Sequence, residues 1–433
     1  MSAGADLAVS TGTAPLYVVL NRSGDLFGEY HRFLDGAPAR LVYLTTPGGL
    51  AALDQEGAVE VRVLDSLGYE DVLPVVREIA DRHGTPDVVY GQSEYDILTA
   101  ARLSAELGVR GGYGVELVRR FKDKPTMKQV VGGAGLRVPR FHTGPVESAE
   151  SLVEALGGLP LVLKPRDSAG SQGVSVVRDL RELAEALEGV DPAGYECEEY
   201  VEGEILHVDG VYRKGSFHFV SVSRYVHTCL DYARGRPLGS VMLDEGPEQA
   251  GIAAFAGRCL DALGLRDGAF HLEAIRPPGG EPVFLEVGLR PGGAQVPFVH
   301  LDLYGIDLFA EAFRAAVGLP PLWSPHGGSA GSRGGWLIYP APGVLPSRVV
   351  HRTSLLGAVP EVYHEELPHV GQVMTGPGSY DEGSGIFRFR AESASGVARA
   401  VTAVLDGYGL RTEPADGDGP QDPLPAVRGQ RHG

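Results

Sequence analysis

A chain of 433 residues exceeds what one compact core organises, so roughly two to four packed units are expected. Its formal net charge of -18 opposes nonspecific binding to nucleic acid, because neutralising a phosphate backbone needs a basic face; any phosphate site must be local. With 43% hydrophobic and 22% charged residues, composition excludes wholesale disorder, and no apolar run approaches the roughly 20 residues of a membrane span.

The opening residues lack a basic stretch before their short apolar run, so no secretory leader is expected and the protein should stay in the cytoplasm. Cys197, Cys229 and Cys259 stand far apart without a CxxC, which argues against a disulfide framework or a zinc site and for small buried hydrophobes.

In chain order, residues 1–118 alternate short apolar strands (Leu16 to Leu20, Arg40 to Leu44, Val59 to Leu64, Asp87 to Tyr90) with helical stretches at Tyr69 to Arg82 and Tyr95 to Leu107. That alternation predicts a parallel α/β layer. A dinucleotide-binding fold would look similar, but Asn21-Arg22-Ser23-Gly24-Asp25 after the first strand holds no GxGxxG. A smaller α+β unit is expected over 119–197, long strands with one helix (Glu248 to Leu263) over 198–325, a further lobe over 326–412 after a connector rich in Gly and Ser, and a disordered tail over 413–433.

Lysine is rare: Lys122, Lys124, Lys128, Lys164 and Lys214 are the only five, and arginine supplies every other permanent cation. A retained lysine can mark a place where a compact point charge must approach a phosphate oxygen, although surface lysines explain some of the five. Lys164 ends an apolar strand and precedes a loop with Gly170, Ser171 and Gly173, whose backbone N–H groups could cradle a phosphate; the alternative is an ordinary turn. Lys124 precedes Pro125 at a helix start, where a polyphosphate could meet lysine and helix N-terminus together; otherwise it is an exposed basic turn. The run Glu196-Cys197-Glu198-Glu199-Tyr200-Val201-Glu202-Gly203-Glu204 is either a solvated acidic face or a nucleotide wall, with Glu198 to Val201 beside an adenine and Glu204 on ribose hydroxyls.

The sharpest signal is geometric. Two strands, Ala269 to Ile275 and Pro282 to Arg290, flank a turn, and a hairpin centred between Gly279 and Gly280 sets Glu273 opposite Glu286, His271 opposite Gly288 and Ala269 opposite Arg290. His271, Glu273, Glu286 and Arg290 then share one face, with Leu272, Leu285, Val287 and Leu289 on the other. Carboxylates roughly 5 Å apart repel by about 3 kcal/mol at an effective dielectric near 20. A shared hard cation, Mg²⁺ or Mn²⁺, is the economical compensation; a shared proton, an arginine partner or a shifted register are the alternatives.

Taken in order over about Gly91 to Val299, these segments resemble the ATP-grasp superfamily, in particular its carboxylate-amine and L-amino-acid ligases. The resemblance implies an ATP-grasp fold, an N-terminal parallel α/β domain and two lobes enclosing ATP. It implies that Lys124 and Lys164 contact the phosphates, that Ser168 to Gly173 close over them, that Glu198, Glu199 and Val201 line the adenine and Glu204 the ribose, and that Glu273 and Glu286 hold metal ions. Lys164 and Arg290 would be catalytic, the arginine stabilising charge on an acyl phosphate. Many members carry a metal-binding Asn two residues after the second Glu, and here that position is Gly288.

The expected reaction is ATP-dependent joining of an amino-acid carboxylate to an amino-acid amine, with a glutamate-derived acid as one candidate. Arg224 and Tyr225, with Arg290, are candidates for a substrate carboxylate, with a structural ion pair as the other reading of Arg224. Rivals are a carboxylase or purine-pathway ligase, for which no biotin-attachment segment is seen, and a nucleotide-binding regulator without turnover. The expected partners are amino acids, without nucleic acid or membrane, and a homodimer stays open.

Overall fold

The computed structural model describes residues 14–167, 170–324, 331–376 and 383–415. Ser168 of the glycine loop, residues 325–330 of the connector, the tail from 416 and the first 13 residues lie outside them. Two units are present: residues 1–115 with 316–319, and residues 116–315 with 320–433.

The first unit holds four parallel strands, Leu16–Asn21, Arg40–Thr45, Glu60–Val63 and Val88–Gly91, with the first strand between the second and the fourth. The first is buried at every residue, as parallel strands covered on both faces require. Helix Tyr69–His83 directs Val72, Val76 and Ile79 into a core with Leu16, Val18 and Leu20, the spacing of an apolar helical stripe.

In the second unit, helix Lys124–Gly133 is capped by the Asp123 carboxylate, which accepts from the Thr126 N–H, and started by Pro125. A four-stranded sheet follows in the order Phe141–Thr143, Tyr195–Glu199, Leu161–Pro165, Ser175–Val177. Helices Ala149–Leu156 and Leu180–Glu188 cover one face, burying Leu152, Leu156, Leu163, Leu183 and Cys197 together.

An eight-stranded antiparallel sheet forms the rest of the site-bearing body. Its order is Val283–Gly288, Gly268–Arg276, Glu204–Arg213, Ser216–His227, Leu238–Met242, Arg333–Tyr339, Gly385–Ala391, Val362–Glu366. The last three strands belong to the stretch expected as a separate lobe over 326–412; they continue the sheet that carries Glu273 instead of standing apart. Helix Ala394–Gly407 packs on that half, and strand Leu410–Pro414 pairs with Ser347–Arg352, so ordered chain runs past the expected tail start at 413. Among the described residues no helix is long and apolar enough to cross a membrane.

Candidate active site

Lys164 lies opposite Glu196 in the strand pair, and Val162 lies opposite Glu198, so period-2 alternation turns both carboxylates and the lysine to one face. Helix Lys124–Gly133 lies against that face. Lys124 and Lys128 are one turn apart and share a side of the helix. Lys128 is fully buried and bridges Glu196 at 2.6 Å and Glu198; Lys164 reaches Glu198 at 2.7 Å and Glu196 at 3.7 Å. Burial acts against the Lys164 ammonium, yet Glu198, Glu196 and Glu286 outweigh it and raise its pKa. Arg166 ties the strand to the helix start: it pairs with Asp123 at 2.9 Å, and its carbonyl accepts from the Lys124 N–H.

Lys128 was absent from the sequence-derived site. Its signal was available, since three of the chain's five lysines, Lys124, Lys128 and Lys164, are buried together beside the acidic strand. That strand is therefore not a solvated face. Glu199 turns the other way, to Arg137 at 2.8 Å and Arg140 at 2.6 Å.

In the large sheet Glu273 is opposite Glu286 and His271 opposite Gly288, as the hairpin symmetry predicts. Beyond Glu273 the register shifts, pairing Ala274 with Phe284 and leaving Leu285 as an extra residue. Leu272, Val287 and Leu289 are buried as expected, but the bulge turns Leu285 into the same cavity as Glu286. The ladder ends at Gly288, so the expected pairing of Ala269 with Arg290 does not form. Arg290 is half-buried, and its Nη1 donates to the Pro291 carbonyl at 2.9 Å.

The carboxylate repulsion has protein partners. Lys124 Nζ stands 3.4 Å from Glu286. The Tyr225 hydroxyl donates to Glu273 Oε1 at 2.8 Å, and His271 Nε2 lies 3.5 Å from the same oxygen. Burial alone would raise the Glu273 pKa, but His271 and Tyr225 hold it below the ordinary range; burial, then Glu273, pushes the Tyr225 phenol well above its own. Among the described residues, the second Glu273 oxygen has no hydrogen-bond donor, and Glu286 is one-third exposed to the cavity. Two facing hard-oxygen donors of this kind suit a divalent cation.

A cavity of about 220 Å³ joins these groups. Lys124, Lys164, Glu198, Glu273 and Glu286 line its polar side, and Val162, Val176, Ile205, Ile275 and Leu285 its apolar side. Glu199, Tyr200 and Val201 border it as the chain leaves the acidic strand, and Ser171 reaches it from the glycine loop. Gly170, Ser171 and Gly173 all have positive φ, and a Cβ at Gly173 would meet Pro165 Cγ at 2.8 Å, so the loop folds tightly back on the Lys164 strand.

Three expected side chains, Glu204, Arg224 and Arg290, are not among the residues that line the cavity. Glu204 pairs with Arg224 at 3.2 Å and with Arg276, its cross-strand neighbour. Adjacent strand residues face opposite sides, so Arg224 is turned away from Tyr225, and the ion-pair reading of Arg224 is the one the structure shows.

A second polar cluster adjoins Glu273. Strand pairing sets His207 opposite Glu273 and Asp209 opposite His271. Asp209 is fully buried and lies 2.5 Å from His207 Nδ1 and 2.8 Å from His271 Nδ1; His207 Nε2 meets Ser240 Oγ at 2.6 Å. Burial works against a charged His271, but Asp209 and Glu273 push its pKa up to about 10. The period-2 runs Leu206-His207-Val208-Asp209 and Phe270-His271-Leu272-Glu273 carried this signal unread.

No protein-family model matches the chain. Dapdiamide A synthase of Enterobacter agglomerans is 29% identical over 170 residues, spanning 36% of this chain and 39% of that protein. The L-arginine-specific L-amino acid ligase of Bacillus subtilis is 26% identical over 244 residues, spanning 54% and 58%. The chain thus spans less than two thirds of the length of either curated relative. Among solved structures, the L-amino acid ligase from Bacillus licheniformis superposes with a TM-score of 0.70 at 19% identity, over 92% of this chain and 98% of that one. A parallel α/β unit, followed by a small and a large antiparallel sheet with lysines and carboxylates around one cavity, is the ATP-grasp fold, and in sequence the chain is similar to L-amino-acid ligases.

Proposed function

We propose that the chain is an ATP-dependent ligase that joins the carboxylate of one amino acid to the amine of another. The observation that carries this reading is the pair Glu273 and Glu286, opposed across a β-ribbon and bordering the same cavity as Lys124 and Lys164. ATP would place its adenine against Glu198 to Val201 and the apolar wall, with its phosphates towards the two lysines. Glu273 and Glu286 would hold Mg²⁺ or Mn²⁺, which supplies positive charge to the phosphate oxygens.

Phosphoryl transfer asks the protein mainly for alignment and charge neutralisation, the work assigned to Lys124 and Lys164. The substrate carboxylate oxygen forms a bond to the γ-phosphorus as ADP departs. The amine then attacks the acyl carbon, the C–N bond forms, the C–O bond to phosphate breaks, and the amine proton passes to solvent. Arg290, on the loop after the second carboxylate, is assigned to the charge that develops on the acyl phosphate. The glycine loop Ser168 to Gly173 would keep water from the intermediate.

Screening amino-acid pairs for ATP-dependent phosphate release, with product mass by spectrometry, tests the reading. Lys164→Ala, Glu286→Gln and Arg290→Ala should each lower amine-dependent phosphate release by roughly a hundredfold or more while the circular dichroism spectrum is unchanged. Wild-type turnover in all three would refute it.

A further inference from the structure

We propose that Asp209 is a positioning residue that sets both the first metal-binding carboxylate and the loop that carries Arg290. The proposal rests on the assignment of Glu273 and Glu286 to a divalent cation. Asp209 touches none of the cavity directly and acts through two neighbours.

The first arm is His271. Its Nδ1 faces Asp209 Oδ1 at 2.8 Å and its Nε2 faces Glu273 Oε1 at 3.5 Å, so the imidazole is oriented at one end by Asp209 and presents its other end to the carboxylate. With Tyr225 holding the same oxygen at 2.8 Å, Oε1 is occupied, and among the described residues Oε2 is the atom left for a ligand. Donors behind a ligating carboxylate fix its orientation and typically change metal affinity by about 10- to 100-fold.

The second arm is steric. Gly292 belongs to the segment Arg290-Pro291-Gly292-Gly293, and a Cβ built on Gly292 would stand 2.4 Å from Asp209 Oδ1 and 3.0 Å from His271 Nδ1. No side chain fits there without moving the pair. The Arg290 loop is therefore seated on the Asp209–His271 contact, and one buried carboxylate gives the metal-side carboxylate and the arginine loop a common support.

His207, Asp209 and His271 also have the donor types of a transition-metal site, their ligand atoms lying within 4.8 Å of one another. The 2.5 and 2.8 Å separations from Asp209 are hydrogen-bond lengths, and Ser240 takes the outer nitrogen of His207, so the trio is satisfied without an ion.

The test is calorimetric binding of ADP to the full chain, once with Mg²⁺ and once with excess EDTA. Wild-type protein should bind the magnesium complex more tightly. Asp209→Asn, which keeps the shape but replaces an oxygen acceptor by an amide donor, should weaken MgADP by about tenfold or more and leave metal-free ADP within about twofold. Gly292→Ala, with Asp209 intact, should show the same selective loss and serves if Asp209→Asn fails to fold.

Retention of the magnesium preference in both variants would overturn the positioning role, as would an equal loss of both forms of ADP, which marks a purely structural residue. A wild-type protein without any magnesium preference would remove the cation assignment and this inference with it. Stoichiometric zinc in purified protein, lost in Asp209→Asn, would replace the inference by a metal site.

Discussion

The two halves of the cavity bury their carboxylates by different means. On the small sheet, Glu196 and Glu198 meet the ammonium groups of Lys128 and Lys164, two cations against two anions with Lys128 wholly out of solvent. On the large sheet, Glu273 and Asp209 meet imidazoles and hydroxyls; Glu273 borders the cavity, and one of its oxygens has no donor among the described residues. A cluster whose charges cancel internally offers rigidity, because removing any one member strands another. A cluster whose acceptors outnumber its fixed cations keeps affinity for an ion from outside. The same residue class, a buried glutamate, thus serves as scaffold on one wall and, on the other, is the residue proposed above to hold an ion.

The strongest way to break this contrast is Lys128→Met. It leaves Glu196 and Glu198 with Lys164 alone, and stability should fall by about 3 to 5 kcal/mol, read as a lower urea midpoint with an unchanged slope. Tyr225→Phe acts on the other wall. It removes one hydroxyl donor from a charged acceptor, a loss of about 2 kcal/mol at most, and should appear as a higher Mg²⁺ requirement for turnover more than as a lower urea midpoint.

Glu60 in the first unit is a surface counterpart of the buried clusters, contacted by Arg62 at 2.5 Å, Arg82 at 2.9 Å and His83 at 2.9 Å. Burial would raise its pKa, but these donors hold it at about 2, below the ordinary 4.5. Its contribution to stability is therefore present above pH 4.5 and fades as pH falls towards 2. Glu60→Gln should lower stability at neutral pH by about 1 kcal/mol or less, the difference closing as pH falls towards 2, the smallest effect of the three.

Local patterns were legible and long-range ones were not. Glu273 opposite Glu286 followed from one short turn, and the four parallel strands from their apolar runs. Leu285 was misplaced because a bulge breaks strict alternation and no residue type announces it. Glu204 looked available to a ribose because its partners, Arg224 and Arg276, come from other strands and only the register reveals them. The continuity of the large sheet was hidden for the same reason, since Leu238–Met242 pairs with Arg333–Tyr339 across nearly a hundred residues.

That last pairing sets a minimum length for a well-behaved protein. Strand Leu238–Met242 is buried at every position and is flanked on one side by residues that arrive much later in the chain. A fragment ending before Arg333 would present this strand's open backbone to solvent, an invitation to edge-to-edge association. Attempts to isolate the cavity as a shorter unit should therefore keep the distal strands, Arg333–Tyr339 and Gly385–Ala391, as a cover for that border.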